Sequence, residues 1–149
     1  MKKLFYSTVV VLSVSFIAMS FSSCKKSEPA AASAFNWTFN GGTATKANIH
    51  KAFSISKNIL ATKGSNIVSF DILISVSSFN TGSYTITSGG SNSVLYIDNS
   101  GNNYTASAGV INITSYSSNL ISGNFNVTLT DTGGSYTLSG SFTDTPVEF

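Results

Sequence analysis

Few side chains in this sequence can carry out acid–base, nucleophilic or metal chemistry. Of its 149 residues, 9% are charged, and the chain contains one His, one Cys, eight Lys and no Arg. Without Arg there is no bidentate clamp for phosphate, and one Cys with one His cannot form an internal disulfide or a structural zinc site. His50 follows no nearby acid, whereas a catalytic base needs an orienting partner and a nucleophile. We therefore expect His50 to be an exposed residue at a strand end, and we expect no catalytic residue, cofactor or metal.

Two acidic segments match functional patterns but are better explained as turns. Residues 131–133 read Asp-Thr-Gly, a tripeptide that supplies one of the two proton-sharing carboxylates in aspartic proteases. This chain has one copy, and the Gly134 that follows is typical of a hairpin tip. Residues 98–103 place oxygen ligands at alternate positions, as in calcium loops, but they lack the sixth-position Gly and the distal Glu of an EF-hand. Both segments are predicted to be polar hairpin loops.

Aromatic side chains are the stronger candidates for ligand binding. Trp37, Tyr96 and Tyr104 lie among Asn, Ser and Thr residues. Flat rings stack on sugar faces while those polar side chains hydrogen-bond to hydroxyl groups. Packing in the core is the alternative, and it is favoured for Trp37, which alternates with Phe35 and Phe39. Trp37, Tyr96 and Tyr104 are the possible binding residues for a glycan or another small ligand, and the wider set of candidates adds Tyr84, Tyr116 and Tyr136.

The formal net charge of +2 does not indicate nucleic-acid binding, because the excess positive charge lies near the N-terminus. Lys2, Lys3, Lys25 and Lys26 all precede residue 35, and from there onward four Lys face five acids. Affinity for nucleic acid depends on clustered cations that release phosphate counterions. We therefore expect no nucleic-acid partner.

An export leader with a lipid anchor is predicted for the first 24 residues. Lys2 and Lys3 precede an uncharged apolar run over residues 4–21, which is the order of an export signal. The run leads into Phe21-Ser22-Ser23-Cys24, and small residues before a lone Cys resemble the lipobox of bacterial lipoproteins. That resemblance implies cleavage after residue 23 and acylation of Cys24. Phe21 and Ser23 stand where Leu and Gly or Ala are usual, a looseness familiar among lipoproteins of Bacteroidetes-type bacteria.

This interpretation divides the chain into a signal peptide, residues 1–23, and a lipidated Cys with a flexible tether, residues 24–34. Acyl chains contribute about 0.8 kcal/mol for each buried CH₂, so the membrane attachment is stable. Lys25 is not the Asp that retains enterobacterial lipoproteins at the inner membrane, so we expect the outer membrane, with the facing of the leaflet open. An uncleaved spanning helix is one alternative, which five Ser or Thr within residues 7–20 disfavour. Ordinary cleavage with a free thiol is another.

Residues 35–149 are predicted to form a single all-β domain. Apolar residues recur there with a period of two. The segments 121–130 and 136–143 alternate in this way around the turn at 131–135, which predicts a hairpin. A third apolar face is predicted from Val68, Phe70, Ile72, Ile74 and Val76.

Further turn signals divide the domain into about nine or ten short strands, including separate strands at 52–56, 58–62, 104–108 and 110–116. Short connections predict an antiparallel meander. A sheet of that length must curl or split to bury one face, which gives a β-sandwich or a flattened barrel.

The domain also resembles a family of small Bacteroidetes-type lipoproteins of unknown function. The resemblance rests on turn glycines and core aromatics, namely Phe35-x-Trp37-x-Phe39-Asn40-Gly41, Gly82-x-Tyr84-x-Ile86, Tyr104 through Gly109-x-Ile111-x-Ile113-Thr114, Ile121-Ser122-Gly123-x-Phe125 and Ser139-Gly140-x-Phe142. It implies a fold and an envelope location, but no catalytic residue.

We therefore expect a non-enzymatic, lipid-anchored envelope protein with a structural or interaction role. Its partners would be the membrane, through Cys24, and a glycan or an envelope protein. A small-ligand or carbohydrate-binding module is the alternative function, and a hydrolase comes third because no acid pair, triad or metal set is visible in the sequence.

Overall fold

The structure is a computed structural model that describes residues 32–149. The predictions for the leader, for Cys24 and for most of the tether lie outside the described residues. The described residues form ten strands and no helix: β1 (Ala34–Phe39), β2 (Thr45–Lys46), β3 (Ile49–Phe53), β4 (Asn58–Thr62), β5 (Ile72–Ser75), β6 (Gly82–Ile86), β7 (Ser93–Ile97), β8 (Asn103–Ser117), β9 (Leu120–Asp131) and β10 (Gly134–Glu148). The predicted all-β class and number of strands are confirmed.

All ten strands belong to one curled sheet. The strand order is β2-β1-β10-β3-β4-β5-β7-β8-β6, and β9 pairs with both β8 and β10. The pairing path from β3 through β4, β5, β7, β8 and β9 to β10 therefore returns to β3. The contact that closes this path is parallel and short, joining Val147 to Ala52 and Glu148 to Phe53. The other pairings are antiparallel, as predicted, and the result is a flattened, meander-like sheet and not a regular barrel.

The curled sheet has two ends. We call them the tether end, where the chain enters β1, and the tyrosine end, where several tyrosines lie. The tether end contains the turns at residues 54–57 and 118–119 and the last residues of β10. The chain enters β1 on this side, with Ala34 opposite Thr143. The tyrosine end contains the loop at residues 98–102 and the turn at residues 132–133. β1 runs towards the tyrosine end and finishes with Phe39 opposite Leu138.

The β9–β10 hairpin forms where the alternation predicts it. Asp131 pairs with Gly134 across a two-residue turn, and Phe125, Val127 and Leu129 are each buried to 2% exposure or less. The Ser, Thr and Asn residues between them face outwards. One face of the hairpin is therefore core, and the other is the uncharged polar surface that the composition predicts.

Two phenylalanines of this hairpin pack over glycines on the opposite strand. Phe125 pairs with Gly140, and Phe142 pairs with Gly123. A Cβ at Gly140 would lie 2.5 Å from the Phe125 ring, and a Cβ at Gly123 would lie 2.5 Å from the Phe142 ring. Each ring thus occupies the space that a facing side chain would fill, a known way to stabilise glycine in a strand.

A β-bulge in β10 marks the place where this strand changes partner. The β9–β10 register shifts between Phe142 and Thr145, and Asp144 has a positive φ of 47°. The backbone N–H of Asp144 donates to Ser122 Oγ at 2.9 Å. Before the bulge β10 pairs with β1, and after it β10 pairs with β3. The bend of a bulged strand allows this exchange of neighbours.

The predicted apolar face at residues 68–76 is wrong in its first half. β5 includes only residues from Ile72 to Ser75, and Val68 is 81% exposed. The Asn66 side chain accepts a hydrogen bond from Val68 N–H at 3.0 Å, and Asp71 accepts one from Lys63 N–H at 2.6 Å. These local bonds fold residues 63–71 into a loop in competition with strand pairing.

The predicted strands at 104–108 and 110–116 are one strand, β8. Gly109 does not end the strand, because the register shift between Ala106 and Ala108 absorbs the irregularity. Gly109 has a φ of 128°, and a Cβ there would lie 2.4 Å from the Asn126 carbonyl oxygen. Glycine is therefore needed for the close approach of β8 to β9. The predicted strand at 52–56 is also shorter, because residues 54–57 form a turn.

Truncation of the inward face of the hairpin tests this arrangement. Leu129 is fully buried and Phe125 is 2% exposed, so Leu129→Ala should lower the free energy of unfolding by about 2–5 kcal/mol and Phe125→Ala by about 3–5 kcal/mol. Chemical denaturation monitored by circular dichroism measures both. Thr130→Ala, at the adjacent exposed position, is the matched control and should change stability little. Unchanged stability of Leu129→Ala and Phe125→Ala would show that the inward face is misassigned.

Candidate functional site at the tyrosine end

Four aromatic rings from four strands meet at the tyrosine end. Phe39 ends β1, Tyr96 lies in β7, Tyr104 is the second residue of β8 and Tyr136 the third of β10. Ring centroids lie 4.9 Å apart for Phe39 and Tyr96, 5.2 Å for Phe39 and Tyr104, and 5.1 Å for Tyr104 and Tyr136. Such separations are typical of favourable aromatic pairs. We call these four residues the tyrosine cluster.

The rings of the tyrosine cluster meet because each lies beside a turn. Phe39 precedes the Asn40-Gly41-Gly42 turn, and Tyr104 and Tyr136 closely follow the 98–102 and 132–133 turns. Antiparallel strands bring their turn-adjacent residues to a common end. Tyr96 and Tyr104 are each 7% exposed, whereas Phe39 and Tyr136 are half-buried. The cluster therefore covers the interior at this end and presents Phe39 and Tyr136 to solvent.

Asp98 holds the loop that leads into Tyr104. Its Oδ1 accepts hydrogen bonds from the backbone N–H groups of Ser100 at 2.8 Å and Asn102 at 2.9 Å. Its Oδ2 accepts from Asn102 Nδ2 at 2.8 Å and from the Tyr104 hydroxyl at 3.2 Å. These bonds, those of Asn102 foremost, hold the pKa of Asp98 below its ordinary value. The carboxylate is engaged by its own loop. Residues 98–102 form a polar hairpin loop, as predicted, and Asn103 begins β8.

The two inner tyrosines remain neutral phenols at physiological pH. Burial raises the pKa of Tyr104, and the hydrogen bond to Asp98 raises it further. Burial also raises the pKa of Tyr96, although a hydrogen bond with the Trp37 side chain opposes the shift. Both hydroxyl groups therefore act as neutral hydrogen-bonding groups and not as phenolate nucleophiles.

A polar cleft of about 430 Å³ lies beside the tyrosine cluster. It is lined by Gly101, Asn102, Asn103, Asp131 and Thr132. Asp131 Oδ1 accepts hydrogen bonds from the N–H groups of Gly133 at 2.7 Å and Gly134 at 2.9 Å. The Asp-Thr-Gly tripeptide is therefore a hairpin tip held by its own carboxylate, as predicted, and the cleft offers amide, hydroxyl and carboxylate groups suited to hydroxyl-rich ligands.

The three aromatic residues predicted as ligand contacts are brought together, but largely inside the core. Trp37 is 2% exposed and packs edge-on against Phe35 at 6.1 Å, as its alternation with Phe35 and Phe39 indicates. Tyr96 hydrogen-bonds to the Trp37 side chain, and Tyr96 and Tyr104 are both members of the tyrosine cluster. A second, open groove of about 350 Å³ runs over the outer side of β1 and β10 and is lined by Asn36, Trp37, Thr38, Ala44, Phe125, Ser139, Gly140 and Ser141.

The accessible aromatic residues of the site are Phe39 and Tyr136. The alternation of Phe35, Trp37 and Phe39 predicts Phe39 as a core residue and not as a ligand contact, and Tyr136 belongs only to the wider set of aromatic candidates. The signal that identifies both is their position directly beside Gly-rich turns, at the ends of strands that share one edge of the interior.

His50 is not the exposed strand-end residue that was predicted. It is half-buried in β3 beneath Ser33 and Phe35, and its Nε2 lies 2.7 Å from Ser33 Oγ. Ser33 Oγ donates its single hydrogen to the Asp144 carbonyl at 2.9 Å, so His50 Nε2 is the donor to Ser33. Burial, and then the charge of Lys46, lowers the pKa of His50.

The Ser33–His50 pair has the wrong arrangement for nucleophilic catalysis. His50 donates to the serine and does not accept from it, and its Nδ1 is buried without a hydrogen-bond partner. In a catalytic triad an acidic residue orients that nitrogen. The pair instead links the segment before β1 to β3 and to the β10 bulge.

No group of three or more His, Cys, Asp or Glu side chains within residues 32–149 is arranged to hold a metal ion. Over the same residues, no helix has the length and apolar character needed to cross a bilayer.

Fold and site together define a small all-β domain with one hydrophobic core and the tyrosine cluster at one end. Residues 28–146 match the family model described as "Domain of unknown function (DUF6252)". Because this match covers most of the chain, the protein belongs to that family. No curated protein and no solved structure matches the sequence significantly. The predicted membership of a family of unknown function is thus confirmed at this level, and its lipoprotein character remains a prediction.

The pKa of Asp98 reports the geometry of the tyrosine-end loop. Asn102→Ala should raise this pKa more than Tyr104→Phe does, because Asn102 supplies the strongest of the bonds that lower it. Asn103→Ala, the neighbouring position without a bond to Asp98, is the control. An NMR titration of the Asp98 carboxyl carbon measures the three values, and a larger rise in Tyr104→Phe would contradict the geometry.

The same shift determines a pH dependence of stability. The folded pKa of Asp98 lies below the unfolded one, so its stabilising effect is present above the unfolded pKa and is lost as the pH falls through the folded pKa. Asn102→Ala should therefore lose less stability on acidification than the wild type.

Proposed function

We propose that this protein is a non-enzymatic, lipid-anchored protein of the bacterial cell envelope with an interaction role. The observation that carries the proposal is the packed aromatic core of the domain. The Phe35 ring lies 6.0 Å from the Phe125 ring and 5.8 Å from the Phe142 ring, and the tyrosine cluster covers one end. Enzymes and binders of buried small molecules use a concave apolar pocket, whereas the two clefts described above are open and lie at the surface.

The outer surface supports contact with other envelope components. Its strands present Ser, Thr and Asn with few charges, a surface that can hydrogen-bond to a glycan or to a protein without a strong electrostatic preference. The leader, the position of Cys24 and the small polar residues after it support attachment to a membrane, with the outer membrane favoured by Lys25.

Carbohydrate binding at the tyrosine end is the second candidate function. It is favoured by the half-buried ring of Tyr136, which lies near the polar cleft at the β9–β10 turn. A partly exposed ring beside amide and carboxylate groups provides one stacking surface and several hydrogen-bonding groups for a sugar.

The anchor is tested by acylation of the full-length protein in an envelope-forming bacterial host. Radiolabelled palmitate should enter the wild type and should not enter Cys24→Ala or Cys24→Ser, because both variants lack the only thiol in the chain. Gel autoradiography with an immunoblot for protein amount measures the incorporation. Equal labelling of the wild type and the variants would refute the anchor.

The second candidate is tested by binding to an array of neutral oligosaccharides. Tyr136→Ala should weaken the binding of any retained glycan by about two- to tenfold, the worth of one aromatic stacking contact. Tyr116→Ala, which removes a partly exposed tyrosine at the tether end, is the matched control and should leave binding unchanged. The absence of a retained glycan, or equal loss in both variants, would argue against this candidate.

A further inference from the structure

Large apolar side chains that the sheet leaves exposed are concentrated at the tether end. Ile55 is 85% exposed in the turn at residues 54–57, and Phe149 is 79% exposed directly after β10. Leu120, at the start of β9, is 38% exposed. A single exposed apolar residue needs no explanation, but these three come from separate segments. We call Ile55, Leu120 and Phe149 the apolar rim.

Backbone hydrogen bonds hold the three segments of the rim side by side. Ser54 N–H donates to the Glu148 carbonyl at 2.8 Å, which places the Ile55 turn next to the end of β10. Val147 N–H donates to the Asn119 carbonyl at 2.8 Å, which places the turn before Leu120 on the other side. The three segments that carry the rim are therefore neighbours at the tether end.

The predicted tether reaches the domain close to this rim. Ser33 Oγ donates to the Asp144 carbonyl, four residues before the end of β10 and ten residues after its start. At about 3.3 Å per residue, the chain meets the domain about 13 Å from the tether end and about 33 Å from the tyrosine end. The nine residues from Lys25 to Ser33 span at most about 30 Å when fully extended. A membrane-bound Cys24 therefore keeps the tether end nearer the bilayer.

Charge is distributed in the same sense. Around the tether end, Lys51 and Lys57 balance Asp144 and Glu148, and Lys51 pairs with Glu148 at 2.5 Å. The loops on the tyrosine side carry one lysine and three acids: Lys63, Asp71, Asp98 and Asp131. Lys46 lies opposite Asn36, which lies opposite Ser141 at the midpoint of β10, so it belongs to neither end. An anionic lipid surface therefore repels the tyrosine side more strongly than the tether end.

We propose that the apolar rim rests on the surface of the lipid bilayer, with Ile55, Leu120 and Phe149 in the headgroup region. The proposal rests on the lipid anchor proposed above. The acyl chains then supply attachment, and the apolar rim supplies orientation as a second, weak interfacial signal of the kind that peripheral proteins use. In this orientation the tyrosine end points away from the membrane, towards a partner.

Site-specific fluorescence on the full-length, lipid-modified protein tests this orientation. Acylated Cys24 has no free thiol, so one new cysteine can carry an environment-sensitive NBD label. Ile55→Cys and Leu120→Cys report on the rim. Val68→Cys is the matched control, because Val68 is 81% exposed in the loop whose base at Lys63 bonds to Asn99 at the tyrosine end. Each protein is reconstituted into phosphatidylethanolamine–phosphatidylglycerol vesicles with or without a nitroxide-labelled lipid.

Labels at residues 55 and 120 should shift to the blue and lose most of their emission when the nitroxide lipid is present, and the label at residue 68 should do neither. Quenching at all three sites or at none, in protein that floats with the vesicles, would overturn the docking and leave the anchor intact. A blue shift at residue 55 without quenching would mean that protein, such as a second copy, covers the rim, and it would also overturn the docking. Protein that neither floats nor incorporates palmitate would overturn the anchor and the docking together.

Discussion

The packing of Phe125 over Gly140 and of Phe142 over Gly123 is the constraint on which the rest of the structure depends. Because each ring lies over a residue without a side chain, the two rings pack close against the hairpin. Phe35 of β1, the cross-strand neighbour of Phe142, packs beside them, 6.0 Å from Phe125 and 5.8 Å from Phe142. The position of β1 then determines where Trp37 and Phe39 lie, and Phe39 joins the tyrosine cluster. Two glycines thus determine the geometry of a site several residues away.

The two ends of the sheet expose different kinds of surface, although the domain contains few charged residues. At the tyrosine end, the carboxylates of Asp98 and Asp131 hold turns, and the accessible surface is polar and aromatic. At the tether end, hydrogen bonds between backbone groups join three chain segments, and the accessible surface includes the apolar rim. The surface is therefore not uniform despite the scarcity of ionisable side chains, because the turns determine which side chains are exposed to solvent.

Local patterns in the sequence predict the β9–β10 hairpin well, because the burial of Phe125, Val127 and Leu129 follows directly from period-two alternation. They fail at Val68, where hydrogen bonds from backbone N–H groups to the side chains of Asn66 and Asp71 compete with strand pairing. They also fail at Gly109, where one strand continues across a bulge. The tyrosine cluster was predictable only in part. Tyr96 and Tyr104 stand out by type, but their meeting with Phe39 and Tyr136 depends on the strand order. That order includes a parallel contact between β3 and β10, which no local pattern encodes.

The direction of β1 also determines how the domain responds to mechanical force. Ala34 to Phe39 pair with β10 over six consecutive residues, and the strand runs from the tether end towards the tyrosine end. A pull on Ser33 against a partner held at the tyrosine end acts along the strand axis, so the β1–β10 hydrogen bonds lie across the force and resist it together, in shear. Applied at the opposite terminus of β1, the same force would peel the pairs apart one by one. The domain therefore resists a pull at the tether end, where β1 begins, more strongly than a pull at the tyrosine end.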